Sequence, residues 1–473
     1  ADFDFDRGSN AAATRINSSG LIEKYRENVL LQSNNFTSWS NIGGTMVGGQ
    51  SGYDGSNDAY LFTMSSGANI CSQTNTQSGV QTYSVYAKGN VNNGLRFYAF
   101  GTSNVFAYFD LNIGAVESTN QVIDANIEDK GNGWYRCSMT FNQTNTQIYM
   151  YLSNNNNTNA SSGSILIQNA QLETGLVATE YLNSTSVTAK AGVLIDLPRI
   201  NYDANGENGA LLLEPSRKNV VTNTEYVSSN DYVVGNWTGT ITTNTTETLS
   251  PEGVYNATKF VKAGASDRVY FHNSQPDGAY TGSIYLKAAS GSENKTIEIS
   301  IRRFGGGGGS TSKLVTITNE WQRFDVSASN LTGGTTTAMY ISDFSSAGTA
   351  TDFYSYAMQI EAGSYVSSYI PNHGTSGGVT RAADSCLGAG DVNTFNSSEG
   401  VLFWEGSFDS TSTTAGAVAL IGANSNRVQF YNSGSNVVAL ITPNGSGSFS
   451  ASTNGSVDIT TNHKYAVKWA LND

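Results

Sequence analysis

Apolar and polar residues alternate with a period of two along much of this chain, and no window sustains a helical stripe. Tyr83-Ser84-Val85-Tyr86-Ala87, Leu95-Arg96-Phe97-Tyr98-Ala99-Phe100 and Ile148-Tyr149-Met150-Tyr151-Leu152 alternate or run apolar. Gly, Asn or Ser clusters bound each of them, as expected of short strands between turns. A second group follows in Ser283-Ile284-Tyr285-Leu286, Ile297-Glu298-Ile299-Ser300-Ile301 and Phe353-Tyr354-Ser355-Tyr356-Ala357-Met358. Each group is long enough for about eight short strands, which predicts an all-β fold of tandem two-sheet jelly-roll sandwiches. Within the first group Leu95, Phe97 and Ala99 should fill the core. Arg96, Tyr98 and Phe100 then share the opposite face, with Phe106, Tyr108 and Asp110 as a neighbouring strand. The corresponding outward set of the second group is Glu298, Ser300 and Arg302, which predicts a more charged groove there.

The two groups belong to a repeat. Leu21-Ile22-Glu23-Lys24-Tyr25-Arg26-Glu27-Asn28-Val29 returns as Leu212-Leu213-Glu214-Pro215-Ser216-Arg217-Lys218-Asn219-Val220, with Glu, Arg and Asn in register. Ser84-Val85-Tyr86-Ala87-Lys88 returns as Ser283-Ile284-Tyr285-Leu286-Lys287, and Trp134-Tyr135-Arg136 as Trp321-Gln322-Arg323. Ala170-Gln171-Leu172-Glu173-Thr174-Gly175 returns as Met358-Gln359-Ile360-Glu361-Ala362-Gly363. Tandem copies of one domain favour multivalent attachment over a single active site.

Punctuation sets the expected boundaries: an extended segment 1–20, a jelly roll 21–182, a linker 183–210, a second jelly roll 211–372 and a linker 373–383. From 384 a different β pattern begins and stops at Asp473 in what reads as the middle of a hairpin, so the natural polypeptide is expected to continue. The chain starts at Ala1, which implies a processed or partial N-terminus.

Of 473 residues only 13% are charged, and the formal net charge is −13. That balance argues against a nucleic-acid partner, whose binding draws on lysines and arginines meeting phosphates. No apolar run approaches the roughly 20 residues that cross a bilayer, so no membrane insertion is expected. Cys71, Cys137 and Cys386 have no metal or CxxC spacing and read as small buried hydrophobes. His272, His373 and His463 lie in separate segments, and no nucleophile elbow is present, so the chain is read as a non-enzyme.

Asp2-Phe3-Asp4-Phe5-Asp6-Arg7, with Ala13-Thr14-Arg15-Ile16-Asn17 leading to Leu21-Ile22-Glu23, resembles the start of bacteriophage virion proteins that carry carbohydrate-binding-module-like jelly rolls. Pro198-Arg199-Ile200-Asn201-Tyr202, leading to Leu211 through Asn219, carries the same resemblance. Asn462-His463-Lys464-Tyr465-Ala466-Val467-Lys468 looks like part of a concanavalin A-like, or laminin-G-like, domain, with only its beginning inside the chain. The resemblance implies a fibre or spike appendage at the virion surface. It implies other virion proteins as partners, a homo-oligomer with a trimer favoured, and a host-surface or environmental polysaccharide as ligand. A structural or capsid-decorating virion protein is the alternative, and a secreted bacterial polysaccharide-binding protein the next.

Sugar binding needs aromatic faces and a few planar polar groups. Arg96, Tyr98, Tyr108, Asp110, Glu298 and Arg302 are therefore the candidate carbohydrate-binding residues. The Gln171/Glu173 and Gln359/Glu361 pairs could grip sugar hydroxyls or calcium, but fixing the last strand to a loop is the reading favoured. Glu23/Arg26 and Glu214/Arg217 read as internal ion pairs. Asp2, Asp4 and Asp6 share one face of an extended segment and leave room for a structural calcium ion. Glu405 and Asp409 share a strand face but lack the spacing of a concanavalin-like glucanase, so hydrolysis is not assigned to them. Trp39, Trp134, Trp237 and Trp321 are expected to anchor the two cores.

Overall fold

The computed structural model describes residues 4–8, 12–64, 70–154, 158–227, 232–233, 237–264, 267–304, 308–341, 349–387, 398–408, 417–421, 427–442, 448–453 and 457–470. The chain is all-β, with one short 3-10 turn at Phe36–Ser38 among the described residues. Two compact units are present: Phe5–Ser385, and Ala1–Asp4 with Cys386–Asp473.

The larger unit holds two antiparallel sandwiches. In the first, one sheet runs in the order Ala115–Asn120, Asn104–Asp110, Gly94–Gly101, Asn145–Asn154, Ile70–Gln77, Ser40–Ile42. The facing sheet runs Asp124–Gly131, Trp134–Asn142, Val80–Gly89, Gly163–Thr174, Ala59–Met64, Gly44–Gln50. Alternation drives the packing: Leu95, Phe97 and Ala99 are fully buried, and Phe97 meets Tyr83 of the facing sheet at 4.5 Å between ring centres. The second sandwich repeats this plan. Tyr232–Val233, Val269–Ser274, Thr336–Ile341, Thr296–Phe304 and Ser310–Thr316 form one sheet, and Thr240–Thr242, Thr258–Val261, Asp352–Ala362, Gly278–Ala288 and Gln322–Leu331 lie in the other. Trp39 and Trp134 are buried, while Trp237 and Trp321 are half-buried.

The repeated polar residues close each sandwich. Asn28 is fully buried; its Nδ2 donates to Ala170 O (3.0 Å) and Leu182 O (2.9 Å), and its Oδ1 accepts from Leu30 N and Leu172 N (3.2 Å each). Asn219 does the same in the second copy, donating to Ile370 O (2.8 Å) and accepting from Val221 N and Ile360 N (3.1 Å each). Gln171 Nε2 donates to Glu173 (2.6 Å), whose carboxylate accepts Thr179 N (2.9 Å), while Gln171 Oε1 accepts Leu182 N (2.7 Å). Gln359 and Glu361 repeat this with Ser367 N (2.8 Å) and Ile370 N (2.8 Å). These amide–carboxylate pairs therefore fix the last strand to the following loop, as the favoured reading had it. Both last strands also bulge at one place, where Asn169 (φ 54°) and Ala357 (φ 56°) are left-handed.

The expected Glu23/Arg26 and Glu214/Arg217 ion pairs do not form. Residues three apart on an extended segment point to opposite sides, whereas Arg15 lies directly across a hairpin from Glu23 and bonds it at 2.6 Å. Glu214 instead pairs with Arg199 (2.9 Å) and Arg381 (3.0 Å). Arg7 and Arg199 also reach Asp384, so three fully buried guanidiniums share two acids where the segments flanking the sandwiches meet.

That Thr14–Ile16/Ile22–Lys24 hairpin, which precedes the first sandwich, is seated on the second. Ile22 packs with Tyr356 and Tyr369, beside Ile16, Tyr285 and Trp321. Ile22 N donates to Pro251 O (2.8 Å), and Lys24 Nζ lies between Glu225 (3.0 Å) and Glu252 (2.7 Å). Burial disfavours charge on Lys24, but the two carboxylates outweigh it and hold the ammonium above its ordinary range. Burial likewise opposes ionisation of Glu225, and Lys24 outweighs it, drawing the carboxyl down to about 2. The sandwiches also touch at Gly79, where Val80 N donates to His373 O (2.7 Å) and an added Cβ would stand 2.2 Å from that oxygen.

In the smaller unit Glu399–Gly406 pairs with His463–Ala470, and a four-stranded sheet runs from Ala417–Ile421 to Phe449–Ser452. Leu402, Phe408, Phe430, Val437 and Ile459 form its core, against which Trp404 and Tyr465 stack at 5.2 Å.

Two outcomes follow from these contacts. Asn28→Ala and Asn219→Ala each orphan buried backbone groups and should cost about 3 kcal/mol in denaturant unfolding; a loss below about 1 kcal/mol would show that the brackets do not hold the fold. Because Glu225 is depressed in the folded chain, its stabilisation is complete above the ordinary value of 4.5 and is lost as pH falls toward about 2. Lys24→Met should cost about 3 kcal/mol at neutral pH by leaving buried carboxylates unpaired, and the deficit should shrink on acidification across that window. A pH-independent deficit would contradict the assignment.

Candidate functional site

The outward face of the Arg96 sheet is an aromatic grid. Register pairs Arg96 with Tyr108 on one side and Tyr151 on the other, and Tyr98 with Phe106 and Tyr149. A two-residue period and this register bring all six onto one face. The Arg96 guanidinium carbon lies 5.1 Å from the Tyr98 ring centre, 5.0 Å from Phe106, 5.3 Å from Tyr108 and 5.1 Å from Tyr151. Four rings therefore hold one cation flat against the sheet, a contact made stronger by partial desolvation. Tyr149 extends the grid, 5.6 Å from Tyr98 and 6.0 Å from Tyr151, and Phe100 ends it with half its surface exposed. Two of the hydroxyls are fixed: Tyr98 donates to Asn104 Oδ1 and Tyr149 to Gln147 Oε1, both at 2.7 Å. Burial pushes the Tyr151 hydroxyl up, against the opposing charge of Arg96.

Of the expected residues in this sandwich, Arg96 and Tyr98 lie in the open part of the face. Tyr108 sits beneath Arg96 at 7% exposure. Asp110 is buried at the strand end, where it accepts Asn112 N at 2.7 Å, and is withdrawn from the grid. Tyr149 and Tyr151 were missed, although their alternation was read as a strand, because nothing in the sequence pairs residues 145–154 with 94–101 rather than with another strand.

The second sandwich presents the corresponding face. Glu298 and Arg302 lie on it, with Arg302 5.4 Å from the Tyr340 ring and donating to Ser300 Oγ at 3.1 Å. Tyr340 stands opposite Ser300 as Tyr149 stands opposite Tyr98, and Tyr270 stacks on Tyr340 at 4.3 Å. Phe304 completes the cluster, 6.0 Å from Tyr270. Tyr340 is itself buried at 1% exposure, so the open part of the face is Tyr270 and Phe304 with Glu298 and Arg302: the charged pair was read from one strand, and Tyr270 arrives from another.

Other candidate chemistry is dispersed. Asp6 is exposed beside buried Phe5, and Asp2 lies outside the described residues, as do Asp409 and residues 305–307 of the glycine run. Glu405 is exposed and 3.8 Å from Lys464. Cys71 and Cys137 are buried free thiols, pushed up by burial, and Cys386 is half-buried. Among the described residues no cluster of three or more His, Cys, Asp or Glu could hold a metal ion, and no helix is long and apolar enough to cross a membrane.

No family model matches the chain, and no curated protein matches it. Among solved structures it is similar to the tandem CBM22-1–CBM22-2 domain of Paenibacillus barcinonensis Xyn10C, at 10% identity over 76% of this chain and 100% of that one, with a TM-score of 0.24. It is similar to a CBM4 structure at 14% identity over 30% and 94%, TM-score 0.22. TmCBM61 in complex with β-1,4-galactotriose gives 12% over 26% and 82%, TM-score 0.18. Likenesses this weak carry no argument about function, which must rest on the faces themselves.

Proposed function

We propose that this chain is a non-enzymatic polysaccharide-binding protein whose two sandwiches each offer one aromatic sheet face to a glycan. The observation that carries the reading is the Arg96 grid: a broad face of phenol and phenyl rings around one guanidinium, with amides of Asn104 and Gln147 at its margin. Sugar rings present flat C–H faces to such rings, and their hydroxyls bond planar polar groups. An open face suits an internal stretch of a long polymer. Two weak faces on one chain gain by linkage, because the second engagement is intramolecular. The segments around Thr14–Asn17 and Arg199–Asn201 support placing the protein in a phage fibre or spike at the virion surface, assembled as a homo-oligomer, with host-surface or environmental polysaccharide as its target. In the alternative, the exposed Phe100 and Phe304 bury against other virion proteins.

Isothermal titration of the full chain with extracted cell-surface polysaccharides tests the reading. Tyr98→Ala with Tyr149→Ala should weaken binding about tenfold or more, Tyr270→Ala with Phe304→Ala should do likewise, and all four together should abolish it. Binding by none of the polysaccharides, or binding unaffected by all four substitutions in a folded chain, would turn the assignment toward a structural role.

A further inference from the structure

The cation at the centre of the first face has no acid to balance it. Arg96 Nη1 donates to Asn159 Oδ1 at 3.3 Å, its Nε is buried without a hydrogen-bond partner, and no ion pair reaches it among the described residues. Four rings hold the guanidinium in place. Ring faces attract a cation, but they accept few of its N–H bonds and bring no opposite charge.

Two further donors flank it. Register sets Tyr108 on one side of Arg96 and Tyr151 on the other. Tyr98 and Tyr149 spend their hydroxyl protons on Asn104 and Gln147 at 2.7 Å each, whereas the hydroxyls of Tyr108 and Tyr151 have no hydrogen-bond partner among the described residues. Tyr108 is moreover only 7% exposed, and a nearly buried residue whose polar tip goes unmet is costly unless something outside accepts its proton. One guanidinium and two phenols therefore stand in a row across three strands as donors. What the row lacks is an acceptor, and one that carries negative charge.

The second sandwich has neither part of this row that can be compared. Ser300 stands opposite Tyr340 as Tyr98 stands opposite Tyr149, so Glu298 holds the place of Arg96. Leu314 then lies across from Glu298 where Tyr108 lies across from Arg96. The cation and its phenol neighbour belong to the first face alone. We propose that Arg96 makes the first face selective for a polysaccharide bearing carboxylates, a polymer with uronic acid units. The carboxylate lies on the guanidinium with the Tyr108 and Tyr151 hydroxyls as further donors, and the sugar ring runs along Tyr98 and Tyr149. A planar carboxylate matches a guanidinium in shape, and such charge-assisted bonds are stronger than those between neutral groups. The inference rests on the reading of this face as a glycan contact and adds which glycan it takes. The net charge of −13 repels a polyanion as a whole, so any preference for acid has to come from local contacts.

The test is isothermal titration of the full chain with alginate, polygalacturonate and hyaluronan, each paired with its carboxyl-reduced, neutral form. At least one acidic polymer should bind, and its reduced form should bind about tenfold more weakly or not at all. Arg96→Gln should erase that difference, while Tyr98→Ala with Tyr149→Ala should weaken both forms. Equal binding of acidic and reduced forms to the unaltered chain, a comparison that requires no variant to fold, would overturn the proposal; if the ring pair still weakened both, the face would stand as a glycan contact without acid selectivity. A preference that survives Arg96→Gln, or failure of all three acidic polymers to bind, would also overturn it. Binding untouched by the ring pair would defeat the glycan reading of the face and the proposal together.

Discussion

Each sandwich depends on a buried polar bracket at the mouth where the chain enters and leaves. A strand that bulges and ends inside a core exposes backbone groups that no sheet partner reaches, and leaving them unpaired costs more than the bonds return when made. Asn28 and Asn219 meet that constraint by bonding the backbone of the bulged strand together with that of the segment after it, and the Gln171/Glu173 and Gln359/Glu361 pairs fix the same strand to the loop that follows. With the mouth closed, the remaining strands need only alternate. That leaves the outer faces free to differ, and they do differ: one carries the Arg96 grid, the other Tyr270 and Phe304 with Arg302.

The same economy explains the two opposite faces. In the second sandwich two acids under tyrosine hydroxyls anchor the Thr14–Lys24 hairpin and so tie the segment before the first sandwich to the second repeat. In the first sandwich Tyr53 stacks on Tyr86 at the corresponding place, and Asp54 and Asp58 both accept from the Gln168 amide.

Much of this was legible in residues. The alternation Leu95–Phe100 gave the buried and exposed sets correctly, and the repeated Asn marked real brackets, although the repeated Glu23 and Glu214 found their arginines across a hairpin and across linkers rather than three residues on. What was not legible was strand order. Tyr149 and Tyr151 join Arg96, and Tyr340 joins Tyr270, only through antiparallel pairing between distant segments. Asp110 shows the converse: its place in the alternation pointed outward, but a turn begins there and its carboxylate serves the backbone.

The central claim is that the two aromatic faces are the glycan contacts. Hydroxyl-radical footprinting of the full chain, with and without a polysaccharide it binds, reads those rings directly. The account predicts protection of Phe100, Tyr98 and Tyr149 together with Tyr270 and Phe304, and unchanged oxidation of exposed Phe449 in the smaller unit. Protection elsewhere, with those five rings oxidised as in the free chain, would contradict it.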